Sequence, residues 1–440
     1  MTELRVRKVE IRGVPLIGYM RRLVDRGKLF PARIWEGKKV GVTYETDMGK
    51  TIGRIDDFRD IELTPSLHPG AFKQTFVDGP VLERAERILR ETPALRGRMV
   101  PIEEKPMDWE GLDFSIRPSH AMFYAKIKKG EQWPRADLVP YEEIGIMPSA
   151  GVLNYGQGLF EGMKAYWSAA GNIVLFRPED NAKRAQEGAK RLSLTPVPVE
   201  YFIDAVKRVV MANKHLIPPM GKGSLYIRPL LLGTGQILGV QSAPEHTFIV
   251  YVSPVGPYFK GGLTPIKLLV SRKYHRAVPG GTGNVKAIGN YAAGIKPSEE
   301  ARSNGYAEVM YLDAIENIYI EEVGAANFFC VKDRIIYTPK LRGTILPGIT
   351  RDSVITIARA LGYKVFEKRI SIDFAMQADE AFCTGTAAVV SPISSIVMEE
   401  RIAIFNKGKV GPISTRLYQD LTAIQEQRAD DPFGWVREIG

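Results

Sequence analysis

Cysteine is scarce in this 440-residue chain: only Cys330 and Cys383 occur, both in apolar surroundings. Their positions lack metal-ligand spacing, so no metal centre and no disulfide framework is expected, but rather two buried free thiols in a reducing compartment. Internal repeats and low-complexity tracts are missing as well. A secretory leader is not evident, because MTELRVRKVEIRG is too charged for an apolar leader core. Glu3 and Glu10 also weigh against a transit peptide, which leaves a cytoplasmic location as the expectation. One charge-free run, AFCTGTAAVVSPISSIVM (381–398), raises the question of a membrane span. Gly385 and Pro392 interrupt it, Ser and Thr are frequent, and acidic residues flank it, so it reads as a buried strand–turn–strand. Nucleotide-phosphate motifs are also lacking: LGTGQILG has GxGxxxG spacing instead of GxGxxG, and no P-loop is present.

What is present is ordinary for a soluble globular protein: 45% hydrophobic, 25% charged and 9% aromatic residues, in a chain long enough for more than one domain. The net charge of +10 comes from interspersed residues. Residues 1–60 hold 14 Lys/Arg against 9 Asp/Glu, an excess of 5, which is a weak signal, and nucleic acid is not the expected partner.

Three regions follow from the pattern. Residues 1–107 mix short alternating segments with Pro- and Gly-marked turns. Within them VLERAERILRE, after Asp78-Gly79-Pro80, has apolar residues at 81, 82, 85, 88 and 89, which predicts a helix. Residues 93–112, with three prolines, read as a linker. In 108–255, MFYAKI, NIVLFRP, GSLYIRPLLLG and HTFIVYVSPV read as strands. NAKRAQEGAKRLSL and YFIDAVKRVVMANKHL read as amphipathic helices. The Gly/Pro-rich SPVGPYFKGGLTP (253–265) marks a boundary. Beyond it, 256–440 is strand-rich, with helices around SVITIARALG and TRLYQDLTAI. The expected class is α/β, with the first region folded and of open role.

Chemistry concentrates in a few places. GGTGNVKAIGNYAAG (280–294) has a single charge, and no other charge lies between Arg276 and Lys296. Small residues let backbone close around Lys286, and a desolvated lysine amine is a nucleophile toward carbonyls. Tyr291 can bring a phenol to it. In NIYIEEVGAANFF a strand would put Ile318, Ile320 and Glu322 on one face and Tyr319, Glu321 and Val323 on the other. One glutamate then points inward, and alternation alone does not choose which. A buried carboxylate there suits a protonated pyridine nitrogen. GTILPGITRDSVITIAR offers a Pro347-Gly348 turn, Thr350 as a cap and a helix start that favours phosphate. Thr384 and Thr386 around Gly385 offer a second anion cradle. Together these features suggest pyridoxal 5'-phosphate, whose ring acts as an electron sink.

The ordered segments YGQGLFEGMKAY, LFRPEDN, LYIRP, KAIGNYAAG, EEVGAANFF, LPGITR and GTAAVVSP carry a family resemblance. From about residue 108 to 440 the chain resembles branched-chain amino acid aminotransferases, which are fold-type IV pyridoxal-phosphate enzymes. The resemblance implies a small α/β domain (108–255) and a larger strand-rich pseudo-barrel domain (256–440). It implies that Lys286 holds the cofactor aldehyde, that Tyr291 meets its phenolic oxygen, and that Glu322 is the partner of the ring nitrogen. Arg177, the amides of Ile349 and Thr350, and Thr386 would hold the phosphate. Tyr155, Phe160, Tyr226, Arg228, Thr386 and the Ala387 amide would form the substrate pocket.

The implied reaction is transamination between L-leucine, isoleucine or valine and 2-oxoglutarate, giving 2-oxo acids and L-glutamate, with Lys286 as general base. A homodimer or a multiple of one is implied, with each site capped by a neighbouring subunit. Where some animal relatives carry Cys-x-x-Cys after the GTA turn, Ala388 and Ser391 stand here, so no redox switch is expected. Two other readings are weighed. One is a different fold-type IV enzyme: a D-amino acid or R-amine transaminase, or an aminodeoxychorismate lyase. The other is a basic nucleic-acid- or partner-binding protein with a vestigial enzyme domain.

Overall fold

The computed structural model describes residues 107–256 and 263–440, together with the strands Val6–Arg12, Gly41–Thr46, Thr51–Ile52 and Phe72–Gln74. The helix expected over 81–91 lies outside the described residues. Backbone contacts divide the chain into two units: Met1–Met107 with Leu138–Glu143, and Asp108–Asp137 with Ile144–Gly440. In the first unit, Val6–Arg12 pairs antiparallel with Gly41–Thr46 and parallel with Phe72–Gln74, and Gly41–Thr46 pairs with Thr51–Ile52.

The second unit holds two sheets. The first runs Val436–Glu438, Ile173–Phe176, Met163–Trp167, Ser224–Gly233, Glu245–Val255, Ala121–Lys128, with Gly158–Phe160 paired further along Ser224–Gly233. Four of its strands arise from the apolar runs read in the sequence, whereas Met163–Trp167, Gly158–Phe160 and Val436–Glu438 were not read there. Helix Val199–Ala212 buries Phe202, Ile203, Val206 and Val210 on one stripe of 3.6 periodicity. Helix Pro178–Arg191 opens with Pro178 at its start, Glu179 and Asp180 in its first turn, and Lys190 and Arg191 in its last. The proline gives up an N–H that would have no partner there, and the charges suit the backbone dipole. The last strand, Val436–Glu438, returns from the chain end to this sheet.

The second sheet is ordered Ile320–Val323, Glu308–Leu312, Ile266–Ser271, Val389–Met398, Glu380–Gly385, Ala326–Lys332. The first and last of these also pair, so the six strands close on themselves. Ile335–Pro339 and Val365–Lys368 extend the sheet outward from Ala326–Lys332. The closed strands enclose Leu268, Met310, Leu312, Phe328, Cys330 and Ile396. Phe329 and Phe382, partners across two strands, stack 5.0 Å apart at 5°. The charge-free run 381–398 is the antiparallel pair Glu380–Gly385 and Val389–Met398, as its breaks predict. Among the described residues no helix is long and apolar enough to cross a membrane.

Two local expectations are corrected. Alternation was to leave one of Glu321 and Glu322 outside, but both are buried, at 6% and 1% exposure. The strand covers only Ile320–Val323 and is packed on both faces, while Ile318 lies outside it and is exposed. Thr350 does not cap its helix either. Gly348 takes that position with extended backbone, and Thr350 is the second helical residue.

Candidate active site

The site is built where the loop carrying Lys286 meets the first sheet. The Phe160 N–H donates to the Lys286 carbonyl at 3.1 Å, and Leu159 bridges Ala287. The segment around Lys286 is therefore fixed by backbone bonds to the strand Gly158–Phe160. The ammonium lies 4.5 Å from the centre of the Phe160 ring, and the Tyr291 hydroxyl is 3.0 Å away. Phe160 and Tyr291 meet edge to face at 4.7 Å. Burial pulls the Lys286 amine down to about 7, and the nearby Arg184 cation pushes the same way. Burial also raises the Tyr291 phenol above its ordinary range. An amine with this pKa holds a substantial neutral fraction near pH 7, which a nucleophile or a base requires.

Glu322 projects from its barrel strand into the same region. It accepts from Arg276 Nη1 at 2.7 Å, from the Leu346 N–H at 3.2 Å and from Asn327 Nδ2 at 3.1 Å. Burial still raises it to about 7, against the pull of Arg276. Glu321 is raised by burial as well, and its Oε2 has no hydrogen-bond partner. Arg276 also donates to the carbonyls of Gly283 and Thr344, so one guanidinium ties Glu322 to the loop before Lys286. Sequence reasoning missed Arg276, although it is the charge that bounds the empty stretch before Lys286.

A cavity of about 1000 Å³ opens beside Val285, lined by Arg177, Arg184, Pro347, Gly348 and Ile349 among others. Arg177 has left-handed backbone (φ 51°), a conformation non-glycine residues seldom adopt, at the join between strand Ile173–Phe176 and helix Pro178–Arg191. Its guanidinium reaches Asp180 at 2.7 Å, Asp352 at 2.7 Å and Ser353 Oγ at 2.9 Å, so it bridges two helix starts. Helix Ile349–Ala360 has no side-chain cap, which leaves the first-turn N–H groups of Ile349 and Thr350 available for an anion.

Thr386 Oγ1 donates to the Gly162 carbonyl at 3.2 Å. The neighbouring Ala387 carbonyl accepts from Lys164 Nζ at 2.8 Å, and burial brings that buried lysine down to about 8. Arg228 lies 4.7 Å from the Phe160 ring and donates to the Tyr226 hydroxyl at 3.2 Å. Tyr155 is placed differently: it ends the exposed turn Gly151–Tyr155, and its hydroxyl donates to the Leu238 carbonyl. Lys164, Glu161 and Arg184 went unread in the sequence, since nothing in their spacing marks them off from surface charges. Burial of both Cys330 and Cys383 raises their thiols to about 12. Among the described residues no group of three His, Cys, Asp or Glu side chains could hold a metal ion.

The arrangement fits pyridoxal phosphate on its own geometry: a low-pKa amine beside a phenol, a buried carboxylate joined to a guanidinium, and open helix N–H groups beside an arginine. Comparison with known proteins points the same way. Residues 158–396 match the amino-transferase class IV family. The chain is 50% identical over 333 residues to branched-chain-amino-acid aminotransferase 5, chloroplastic, of Arabidopsis thaliana, covering 76% of this chain and 80% of that one. It is 51% identical over 338 residues to branched-chain amino acid aminotransferase 2, chloroplastic, of Humulus lupulus, covering 77% and 83%. Among solved structures, the T.th. branched-chain amino acid aminotransferase with pyridoxamine 5'-phosphate aligns with a TM-score of 0.64 and 30% identity, over 74% of this chain and 100% of that one.

These relatives contradict the cytoplasmic location expected above, because both plant proteins are chloroplastic. The expectation rested on the charges of the first residues, whereas location is set by a receptor-read address that is independent of fold and site. The matched family, the level of identity and the site geometry agree: the chain belongs to the class IV aminotransferases and, within them, to the pyridoxal-phosphate-dependent branched-chain amino acid aminotransferases of fold-type IV.

Proposed function

We propose that this protein catalyses reversible transamination between L-leucine, L-isoleucine or L-valine and 2-oxoglutarate, giving branched-chain 2-oxo acids and L-glutamate, and that it does so in an organelle. The observation that carries the reading is Lys286: an enclosed amine with a pKa near 7, fixed between Phe160 and Tyr291. Bound there, pyridoxal phosphate supplies an aldehyde and an electron-withdrawing ring. Lys286 would hold the aldehyde, and its free amine would take the proton from the substrate α-carbon. Tyr291 orients the phenolic oxygen. Glu322, held by Arg276, keeps the ring nitrogen protonated. Arg177, the amides of Ile349 and Thr350, and Thr386 hold the phosphate.

Phe160 and Tyr226 supply apolar walls for a branched side chain. Arg228, stacked on both rings, supplies a cation for the second carboxylate of glutamate, so one pocket serves both substrates. The Ala387 amide grips the substrate carboxylate, and Lys164 braces that turn through the Ala387 carbonyl. Tyr155 is exposed and bonds the Leu238 carbonyl, and Leu153, Leu238 and Val240 are exposed as well. In a homodimer these exposed apolar side chains cover the neighbouring subunit's site and Tyr155 completes its substrate pocket. The other fold-type IV reactions are not favoured, given about half the residues shared with branched-chain enzymes.

The test is Lys286→Ala, assayed for 2-oxoglutarate-dependent conversion of L-leucine. The variant is expected to fold and to lose transamination. Full activity in that variant would remove the basis of the proposal.

A further inference from the structure

Glu161 is fully buried, directly after Phe160, and does not belong to the cofactor or substrate set described above. Its carboxylate is met by a fork: Arg184 donates from Nε at 2.8 Å to one oxygen and from Nη2 at 2.7 Å to the other. Asn181 Nδ2 adds a third bond at 2.7 Å and also reaches the Gly162 carbonyl at 3.3 Å, the carbonyl that Thr386 Oγ1 contacts. The remaining nitrogen of Arg184, Nη1, donates to the Pro347 carbonyl at 3.0 Å. Pro347 leads through Gly348 into the open N-terminus of helix Ile349–Ala360.

One ion pair thus links three parts of the site: the wall strand bonded to Lys286, the helix that follows Arg177, and the turn that presents the anion-binding amides. Fork geometry of this kind fixes orientation as well as distance, which a lysine cannot do. We propose that Arg184 and Glu161 are a positioning pair, which holds the phosphate turn at a fixed distance from Lys286 and places opposite charges beside its amine. The inference rests on the proposed role of Lys286 and of the Ile349–Thr350 amides. The electrostatic part agrees with the Lys286 amine itself, which Arg184 pushes down and Glu161 pushes up.

The experiment uses cofactor-free full-length protein and pyridoxal phosphate as the probe. Borohydride reduction of the wild-type complex, followed by peptide mass spectrometry, must first place the cofactor on Lys286. Failure there removes the underlying reading and not only this one. Arg184→Met, Arg184→Lys and Glu161→Gln are then compared for cofactor dissociation constant and for the pH dependence of Lys286 reductive methylation. The expected loss of affinity is about tenfold or more in each variant, the scale of a charge-assisted hydrogen bond left unmade. Arg184→Met should raise the apparent pKa of Lys286, and Glu161→Gln should lower it. A purely structural role would loosen the site in both variants and move Lys286 upward in both. Should Arg184→Met fail to fold, Arg184→Lys carries the test. Weakened affinity with Lys286 titrating as in wild type supports the pair, and unchanged affinity overturns it. Shifts of the same sign in Arg184→Met and Glu161→Gln also overturn it.

Discussion

At the scale of the residue, Lys286 and Glu322 are set by burial working against local charge. Both sit near pKa 7, the lysine brought down and the carboxyl brought up, chiefly by desolvation. A carboxyl raised in this way still favours its charged form when a cationic pyridinium approaches, because the new opposite charge adds to that of Arg276. Glu322→Gln removes this response. Turnover is expected to fall by about 10²–10³, the range for a lost electrostatic partner of the reacting charge. Glu321→Gln should change turnover far less, because its carboxyl is not the one bonded by Arg276, Asn327 and Leu346. Steady-state rates with L-leucine and 2-oxoglutarate decide the matter, and equal losses at the two positions would mean the wrong glutamate has been assigned. The sequence makes Lys286 legible because the stretch around it carries no other charge. It could not rank the glutamates, because alternation assumes one solvated face and this strand has none. Nor could it mark Arg276 or Arg184, whose partners lie far along the chain and become neighbours only on folding.

Among elements, the turn 346–348 and helix Ile349–Ala360 matter most. Asn327 Nδ2 bonds both Glu322 and the Leu346 carbonyl, so the carboxylate and the turn share one amide. A Cβ at Gly348 would strike the Asn327 side-chain oxygen, which explains glycine there even though its φ of −69° is open to any residue. Gly348→Ala is therefore expected to displace Asn327, destabilise the fold by about 1–3 kcal/mol as overpacking does, and weaken cofactor affinity. Thermal unfolding and cofactor titration measure both effects, and an unaltered variant would show that the turn has slack. Helices and strands with clear periodicity were readable, including the strand pair at 380–398. The cap at Gly348 was not, because Thr350 is the stronger local signal and only the packing of Asn327 selects glycine two residues earlier.

At the scale of the whole molecule, the closed barrel and the first sheet hold the two halves of the candidate site, and the role proposed for Tyr155, which is exposed, requires a partner copy. Light scattering is expected to give a dimer or a multiple of one, and a fully active monomer would contradict the assignment of Tyr155 to a neighbour's pocket. Deleting residues 1–100 should lower thermal stability or change the oligomer while the chemistry persists in whatever stays folded. Equal stability and assembly, with only polyanion affinity lost, would favour a binding module instead. An enzyme that takes amino groups from branched-chain L-amino acids must carry out the first half-reaction with them alone. Protein loaded with pyridoxal phosphate is mixed separately with L-leucine, D-alanine and a simple R-amine, without any 2-oxo acid, and the cofactor absorbance is followed. L-Leucine is expected to convert the aldehyde form rapidly to the amine form, and the other two to convert little of it. Conversion by D-alanine or the R-amine with L-leucine inert would contradict it.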